Sequence, residues 1–291
     1  MNYGIYYAYW EKEWFADYHK YIDKVADLGF DILEISCGAF KNTYTKDEQL
    51  LELKKHAEDR NLILTAGYGP AATENLSSAN PAVQANAIAF FTETLRKLHL
   101  MGIKVFGGGL YGYWPVDYSK PVDKAGDLDR SIMNMKKIAK IAEEYDITLG
   151  MEVLNRFEGY LLNTCDEALE YVKAVDSTHV GVMLDTFHMS IEEDDLCLAI
   201  KKAGDKLCHL HVGERNRKVP GQGNMPWQAM GDALRAIGYQ KAVVMEPFVM
   251  QGGTVGSDIK VWRELLPDTT EETLDADAQA SLKFIKNAFE G

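Results

Sequence analysis

The amino-acid sequence predicts a (β/α)8 barrel, also called a TIM barrel, that forms one catalytic domain over residues 1–291. Eight apolar runs typical of buried strands alternate with eight stretches of helical periodicity from one end of the chain to the other. No Gly/Ser-rich linker, low-complexity tract or short repeat interrupts this alternation. A doubly wound open sheet is the alternative, but such a sheet usually contains fewer strand–helix units.

The elements follow one another at regular intervals. The predicted order is strand 4–9, helix 16–29, strand 31–36, helix 46–60, strand 62–67, helix 82–101, strand 104–110, helix 125–145, strand 147–153, helix 165–175, strand 180–186, helix 193–203, strand 207–213, helix 226–237, strand 241–248 and helix 274–289. Thr45-Lys-Asp-Glu resembles a capping box, and Pro81 and Pro226 suit first-turn positions. Gly102 and Gly238 follow helices, as left-handed caps often do.

Composition and charge narrow the class of protein. The net charge of −13 argues against a nucleic-acid or anionic-membrane partner, because both are polyanions. The four cysteines, Cys37, Cys165, Cys197 and Cys208, lack paired spacing, so we expect them to be reduced and mostly buried. Residues 1–7 lack a signal-peptide pattern and no apolar run approaches membrane-spanning length, so a cytoplasmic protein is expected.

Four charged or imidazole side chains stand near the ends of four successive apolar runs, 26 to 35 residues apart: Glu152, Asp185, His211 and Glu246. A charged group at the end of a buried strand is costly unless it is paired or binds a metal. The carboxyl ends of barrel strands share one face, so we predict one shared metal site there. Three carboxylates and one imidazole suit Mn²⁺, Mg²⁺ or Co²⁺ better than a structural zinc ion. A buried salt bridge is the alternative.

Further groups recur near this predicted site. His209 shares a strand face with His211 but lies one layer deeper, and a hydrogen-bonded core histidine is favoured there over a ligand. Side chains in the segments after strands are Trp114, Glu158, His188 and Arg217. Each alone is typical of a solvated loop, but their recurrence after ligand-bearing strands indicates a substrate site.

Aromatic residues are dense near strand ends: Tyr6, Tyr7, Tyr9, Trp10, Trp14, Trp114 and Phe248. Their faces suit the C–H faces of a sugar, and core packing is the alternative. Two long segments after strands, 111–122 and 213–225, are expected at the catalytic face. The run 252–257 follows the last strand, where barrels often bind phosphate, but it contains no Lys or Arg. We therefore favour a structural turn there.

Five motifs carry a resemblance to a known family. They are Gly4-Ile-Tyr-Tyr-Ala-Tyr-Trp10, Glu152-Val-Leu-Asn-Arg-Phe-Glu158, Val182-Met-Leu-Asp-Thr-Phe-His188, Glu246-Pro-Phe248 and Gly252-Gly-Thr-Val-Gly-Ser-Asp-Ile-Lys-Val-Trp-Arg263. The chain resembles the ketose 3-epimerases of the D-tagatose 3-epimerase family, and more narrowly the D-psicose (D-allulose) 3-epimerases. The similarity runs nearly from end to end, although the segment 36–40 departs from the family's pattern.

The resemblance implies a xylose-isomerase-like barrel with one divalent ion, Mn²⁺ or Co²⁺, with Mg²⁺ as a further candidate. The matching metal positions are Glu152, Asp185, His211 and Glu246. Of these, Glu152 and Glu246 match the family's catalytic carboxylates. The matching substrate contacts are Glu158, His188 and Arg217, with a pocket of Tyr6, Trp14, Trp114 and Phe248. Family members are usually homodimers or homotetramers, so a homo-oligomer is expected.

The chemistry of a C3 epimerase accounts for these residue types. The C3 hydrogen of a free ketose lies next to the C2 ketone, so its removal gives an enediolate, which a divalent cation stabilises as a Lewis acid. Inversion requires a base on one face and an acid on the other, the roles assigned to Glu152 and Glu246. The predicted reaction is interconversion of D-fructose and D-psicose.

Three other functions are alternatives. An aldose–ketose isomerase on the same fold protonates C1 instead of C3. A metal-dependent apurinic endonuclease needs more ligands and a basic face, which the net charge of −13 does not favour. A non-catalytic sugar-binding protein has no need for two carboxylates on one metal.

Overall fold

The barrel predicted from the sequence is confirmed. The computed structural model describes residues 1–291 and contains a closed barrel of eight parallel strands. Each strand pairs with the next along the chain, and the last pairs with the first. The strands are β1 (Asn2–Tyr6), β2 (Ile32–Ser36), β3 (Ile63–Gly67), β4 (Val105–Gly108), β5 (Thr148–Glu152), β6 (Val180–Asp185), β7 (Leu207–Val212) and β8 (Ala242–Met245).

Ten α-helices accompany the strands, and eight of them match the predicted helical stretches. The helices are α1 (Tyr18–Asp27), α2 (Asp47–Asp59), α3 (Pro81–Met101), α4 (Lys124–Tyr145), α5 (Cys165–Val175), α6 (Thr186–Glu192), α7 (Leu196–Ala203), α8 (Trp227–Ala236), α9 (Gly253–Asp258) and α10 (Glu271–Glu290). Helices α6 and α9 were not predicted, because helices of seven and six residues are too short to show a helical period.

The core extends from the barrel interior to the layer between strands and helices. Every residue of β2, β6 and β7 is buried, since helices cover their outer face and side chains fill the barrel itself. Polar side chains on such strands must therefore find partners within the protein.

Strand β1 is shorter than the predicted strand 4–9. It ends at Tyr6, and Tyr7–Trp10 form a 3₁₀ turn in which all four side chains are buried. The hydroxyl of Tyr7 donates to the carbonyl of Trp14 at 2.7 Å, which holds the chain as it turns. Apolar character alone could not separate this buried turn from a strand.

Several predicted helix ends are confirmed. Pro81 occupies the first turn of α3, directly after the capping residue Asn80, whose side chain accepts from the N–H of Ala82 at 2.9 Å. Gly102 and Gly238 have φ angles of 74° and 67°, which is the left-handed region expected after a helix.

Two other helix starts differ from their predictions. The capping box predicted at Thr45 is wrong, because α2 begins at Asp47 and the Gln49 side chain accepts from the N–H of Lys46 at 3.1 Å. Only this half of a capping box forms, one residue later than predicted, because a lysine side chain cannot accept the second bond. Pro226 stands just before α8 and not within its first turn.

Two predictions from composition can be compared with the structure. All four cysteines are free thiols; three are buried and Cys197 is partly exposed. None of the helices has the length and apolar character needed to cross a membrane.

One prediction concerns the contact between α8 and α10. A Cβ at Gly231 would lie 2.2 Å from the carbonyl oxygen of Ala288, although alanine favours an isolated helix by about 1 kcal/mol. We expect the clash to prevail, so that Gly231→Ala lowers the free energy of unfolding in urea by about 1–3 kcal/mol. Gln228→Ala, an exposed change on the same helix, should stay within about 0.5 kcal/mol. A more stable Gly231→Ala variant would contradict this packing argument.

Candidate active site and metal centre

A cavity of about 360 Å³ opens at the carboxyl ends of the strands. It is lined by the last residues of β1 to β5 and by the loops that follow the other strands. Ten of the eleven predicted site residues line it: Tyr6, Trp14, Trp114, Glu152, Glu158, His188, His211, Arg217, Glu246 and Phe248. Asp185, the eleventh, is buried at the end of β6 with 1% of its surface exposed.

The structure brings the four predicted metal ligands together. Glu152 and Asp185 end β5 and β6, His211 lies on β7, and Glu246 directly follows β8. One ligand atom from each lies within 4.8 Å of the others. The Nδ1 atom of His211 is 3.6 Å from Glu152 Oε1, 3.8 Å from Asp185 Oδ2 and 3.5 Å from Glu246 Oε2. Four adjacent strands thus direct four ligands towards one point.

The electrostatics of this group favour a bound cation. Burial, and then the charge of Glu246, raise the pKa of Glu152 well above its ordinary value. Burial lowers the pKa of His211, but the carboxylates of Glu246 and Glu34 outweigh it and hold that pKa well above its usual range. The Nδ1 atom of His211 is buried without a hydrogen-bond partner. Three carboxylate oxygens and this imidazole nitrogen together form a set of ligands that fits a divalent ion.

Glu34 is a site residue that the sequence reasoning missed. Its carboxylate is 1% exposed and accepts from His211 Nε2 at 2.5 Å, His209 Nε2 at 2.8 Å and Thr65 Oγ1 at 2.7 Å. His209 is therefore a hydrogen-bonded core histidine. The signal was a lone acidic residue inside the otherwise apolar run of β2. It was overlooked because Glu34 does not end its strand.

Arg217 is held against the same cavity. Its Nη2 donates to Glu158 Oε1 at 3.0 Å, and its Nη1 lies 3.7 Å from Glu246 Oε2. The guanidinium carbon lies 3.6 Å from the ring centre of Phe187. Burial alone would raise the pKa of Glu158, but the charge of Arg217 holds it below its ordinary value. Nε and Nη1 of Arg217 are buried without a partner, so this cation has donors in reserve for a ligand.

His188 has a defined tautomer. Its Nδ1 accepts from the backbone N–H of Asn155 at 3.2 Å and from the Asn155 side-chain amide at 2.7 Å. Because Nδ1 is an acceptor, Nε2 carries the proton and is a donor. The same amide also donates to Glu158 Oε1 at 3.1 Å. Asn155 lies within a motif of the sequence analysis, but no pattern in the sequence indicated that it orients His188.

Aromatic rings form one wall of the cavity. Trp14 packs edge-on against Trp114 and Phe248, with ring centres 5.7 and 6.0 Å apart, and Tyr6 packs against Phe248 at 6.2 Å. Trp14 Nε1 donates to Asp258 Oδ2 at 2.7 Å. All four rings line the cavity, so they present apolar surface to a ligand as well as to one another.

A second wall, next to the aromatic one, comes from the ends of β2, β3 and β4. Its lining residues include Ser36, Gly38, Asn42, Gly67, Tyr68, Gly69, Gly108 and Gly109. The segment 36–40, which departs from the family's pattern, forms a 3₁₀ turn over Cys37–Lys41. The hydroxyl of Tyr68 donates to Glu74 at 2.7 Å and accepts from Lys41 at 2.6 Å. Sequence reasoning identified none of these wall residues.

The glycine-rich run after β8 packs against the chain after β1. The N–H of Val255 donates to the carbonyl of Lys12 at 3.0 Å, and Thr254 Oγ1 donates to Glu13 at 2.7 Å. A Cβ at Gly253 would lie 2.1 Å from the Lys12 carbonyl oxygen, so the two segments are in direct contact. The run therefore has a packing role, but it forms the short helix α9 and not the predicted turn.

Comparisons with known proteins agree with this geometry. The family model of the xylose isomerase-like TIM barrel matches residues 22–287. A D-psicose 3-epimerase of Enterocloster bolteae is 58% identical over 99% of this chain and 96% of its own length. A D-psicose 3-epimerase of Ruminiclostridium cellulolyticum is 52% identical, covering 100% of this chain and 98% of that protein. A crystal structure of a D-psicose 3-epimerase with D-tagatose from Clostridium cellulolyticum has a TM-score of 0.98, 52% identity and 99% coverage of both chains.

Metal binding provides a direct test of the four-ligand group. Asp185→Asn keeps the shape of the side chain and an oxygen that can accept from the first N–H groups of α6. It removes one negative charge from the ligand group. We expect the dissociation constant for Mn²⁺, measured by calorimetry, to rise. The rise should exceed the roughly 10–100-fold that is typical when a hydrogen-bond partner behind a metal ligand is lost. Glu158→Gln is the matched control, because it also removes a buried charge from the cavity but lies outside the group. Equal losses in both variants would contradict the assignment.

Proposed function

Because the chain belongs to the ketose 3-epimerases of the xylose isomerase-like TIM barrel family, we propose that it interconverts D-fructose and D-psicose as free sugars. We also propose slower reactions of D-tagatose and D-sorbose. We further propose that residues 1–291 form a single catalytic domain and that the protein is a homodimer or homotetramer. The observation that carries the proposal is the pair Glu152 and Glu246, which reach the same cavity from β5 and from the end of β8.

The two carboxylates are suited to move the proton at C3. Glu152 and Glu246 both lie within 4 Å of the same imidazole nitrogen but come from separate strands, so a ketose between them would meet one on each side. One carboxylate takes the C3 proton and leaves an enediolate; the other gives a proton to the opposite face. Their roles exchange when the reaction runs in reverse. Glu152, Asp185, His211 and Glu246 would hold one Mn²⁺ or Co²⁺ ion, which when bound supplies a Lewis acid for the ketose oxygens.

The neighbouring donors are suited to the charge that develops on the sugar. Arg217 has buried N–H groups without partners, and His188 has its proton on Nε2. Donors fixed before the reaction stabilise an enediolate oxygen without further reorganisation. Glu158 accepts from both Arg217 and Asn155 and so maintains their orientation.

The cavity favours an unphosphorylated sugar. Arg217 is the one Lys or Arg among its lining residues, and the carboxylate of Glu158 offsets its charge. The backbone N–H of Val255, in the segment where many barrels bind phosphate, donates to Lys12 instead. The aromatic wall of Trp14, Trp114 and Phe248 suits the C–H groups of a free ketose.

The substrate prediction can be checked with four free ketohexoses and their phosphates. We expect Mn²⁺-loaded protein to interconvert D-fructose and D-psicose with the highest kcat/KM. A ketose that loses a hydrogen bond at one hydroxyl should react more slowly, because the lost bond costs about 1–3 kcal/mol. In D₂O, NMR should place the label at C3. Label at C1 would indicate an aldose–ketose isomerase, and a phosphorylated ketose that reacts fastest would contradict the proposed substrate. Removal of the metal with a chelator should abolish activity.

The two-carboxylate proposal predicts complementary defects. Glu152→Gln and Glu246→Gln should each lower turnover by at least roughly 10²–10⁴-fold, the usual contribution of acid–base catalysis. Each variant retains one base, so each should exchange C3 hydrogen with D₂O in only one of the two epimers and without inversion. Glu170→Gln, an exposed change on α5, is the control and should behave as the unmodified chain. Exchange of both epimers in either variant would refute the assignment.

A further inference from the structure

Glu34 is a buried carboxylate to which the proposed reaction assigns no role. It lies in the middle of β2, with 1% of its surface exposed, and its side chain crosses the barrel interior to β7. Its two oxygens accept from His211 and His209, residues 177 and 175 positions away in the chain. A third donor, Thr65 Oγ1 on β3, lies 2.7 Å from Oε2. An ionised carboxylate can accept all three bonds.

The charge of Glu34 has no conventional counter-ion. Its only ion-pair partners are the two imidazoles, and no Lys or Arg lies within 4 Å of it. An uncompensated charge inside a barrel is destabilising, so packing alone gives no reason for an acid at this position. The contacts of 2.5 and 2.8 Å are direct hydrogen bonds and leave no space for a cation between Glu34 and the rings. The group therefore acts through hydrogen bonds.

The hydrogen bond to Glu34 determines which nitrogen of His211 faces the cavity. The carboxylate is only an acceptor, so Nε2 of His211 must carry the proton that it donates. In the neutral ring the lone pair then resides on Nδ1, the atom that lies 3.5 to 3.8 Å from the three carboxylates. A carboxylate behind a histidine ligand commonly fixes its tautomer and orientation in this way.

We propose that Glu34 is a positioning residue that orients the imidazole of His211 and presents its Nδ1 lone pair to a divalent cation. The other oxygen of Glu34, which does not contact His211, accepts from His209 and Thr65. The inference rests on the proposed function, because it requires that the group of Glu152, Asp185, His211 and Glu246 binds a metal.

The test is the affinity for Mn²⁺, measured by calorimetry and by the electron paramagnetic resonance signal of free Mn²⁺. Glu34→Gln removes the charge behind His211 and leaves one acceptor oxygen for two imidazole N–H donors, so the bond that fixes the ring of His211 is weakened or lost. We expect the dissociation constant to rise roughly 10–100-fold. At saturating Mn²⁺ most of the turnover should return and KM for the ketose should stay unchanged, since all four ligands and the substrate contacts remain.

Two further variants separate positioning from general destabilisation. Thr65→Val removes one donor to Glu34 but leaves the bond to His211, so it should lower stability without a measurable change in Mn²⁺ affinity. Glu34→Asp retains the charge on a shorter side chain and should show a smaller loss of affinity than Glu34→Gln. If Glu34→Gln does not fold, the positioning role is tested by comparing Glu34→Asp with Thr65→Val. Only Glu34→Asp should weaken Mn²⁺ binding.

The outcomes distinguish this inference from the proposed function. If the unmodified chain is active without metal and does not bind Mn²⁺, the proposed metal site fails, and the role of Glu34 fails with it. If the unmodified chain binds Mn²⁺ and the Glu34 variants bind it equally tightly, only the role of Glu34 is overturned. Equal losses of affinity in Thr65→Val and Glu34→Gln would also overturn it, since they would reflect destabilisation of the barrel.

Discussion

Buried negative charge at the carboxyl end of the barrel is the constraint on which the rest of the site depends. Glu152, Asp185 and Glu246 meet around one imidazole nitrogen, where the first two are buried and Glu246 is partly exposed. Mutual repulsion and desolvation make such a group unstable unless a proton or a cation neutralises it. Three of the surrounding contacts add positive potential: the guanidinium of Arg217, the Nε2–H of His188 and the N–H groups at the start of α6.

Asp185 connects the proposed metal centre to the proposed substrate donors through its two oxygens. Oδ2 lies 3.8 Å from His211 Nδ1, whereas Oδ1 accepts from the backbone N–H groups of Phe187 at 2.6 Å and His188 at 3.2 Å. The first turn of α6 is therefore anchored to the same carboxylate that faces the cation site. Because that turn carries His188, and Phe187 packs on Arg217, the donors that would contact the sugar are positioned relative to the metal by one side chain.

The sequence predicted the barrel, the order of its strands and the four residues that the structure brings together, because these depend on local patterns. A charged residue at the end of an apolar run is visible without knowledge of the fold. Glu34 and Asn155 were missed for a different reason. Glu34 meets His211 across the closed barrel, and Asn155 meets His188 from another loop, so both roles depend on contacts between distant residues. The turn at Tyr7–Trp10 was missed because its buried residues have the composition of a strand.

The two halves of the barrel have separate tasks. Strands β5 to β8 provide the four proposed ligands, whereas β2, β3 and β4 end in a wall rich in glycine, and Glu34 links β2 to the ligand His211. Glycines of this wall differ in the room they leave: a Cβ at Gly108 would lie 2.2 Å from the Tyr68 carbonyl oxygen, but at Gly38 the nearest atom would be the Ser36 hydroxyl oxygen at 3.3 Å. Single substitutions at positions such as Gly38 can therefore reshape the space for the distal hydroxyls of a sugar without contact with the proposed ligands. Substrate preference in this barrel is free to diverge during evolution faster than the reaction itself.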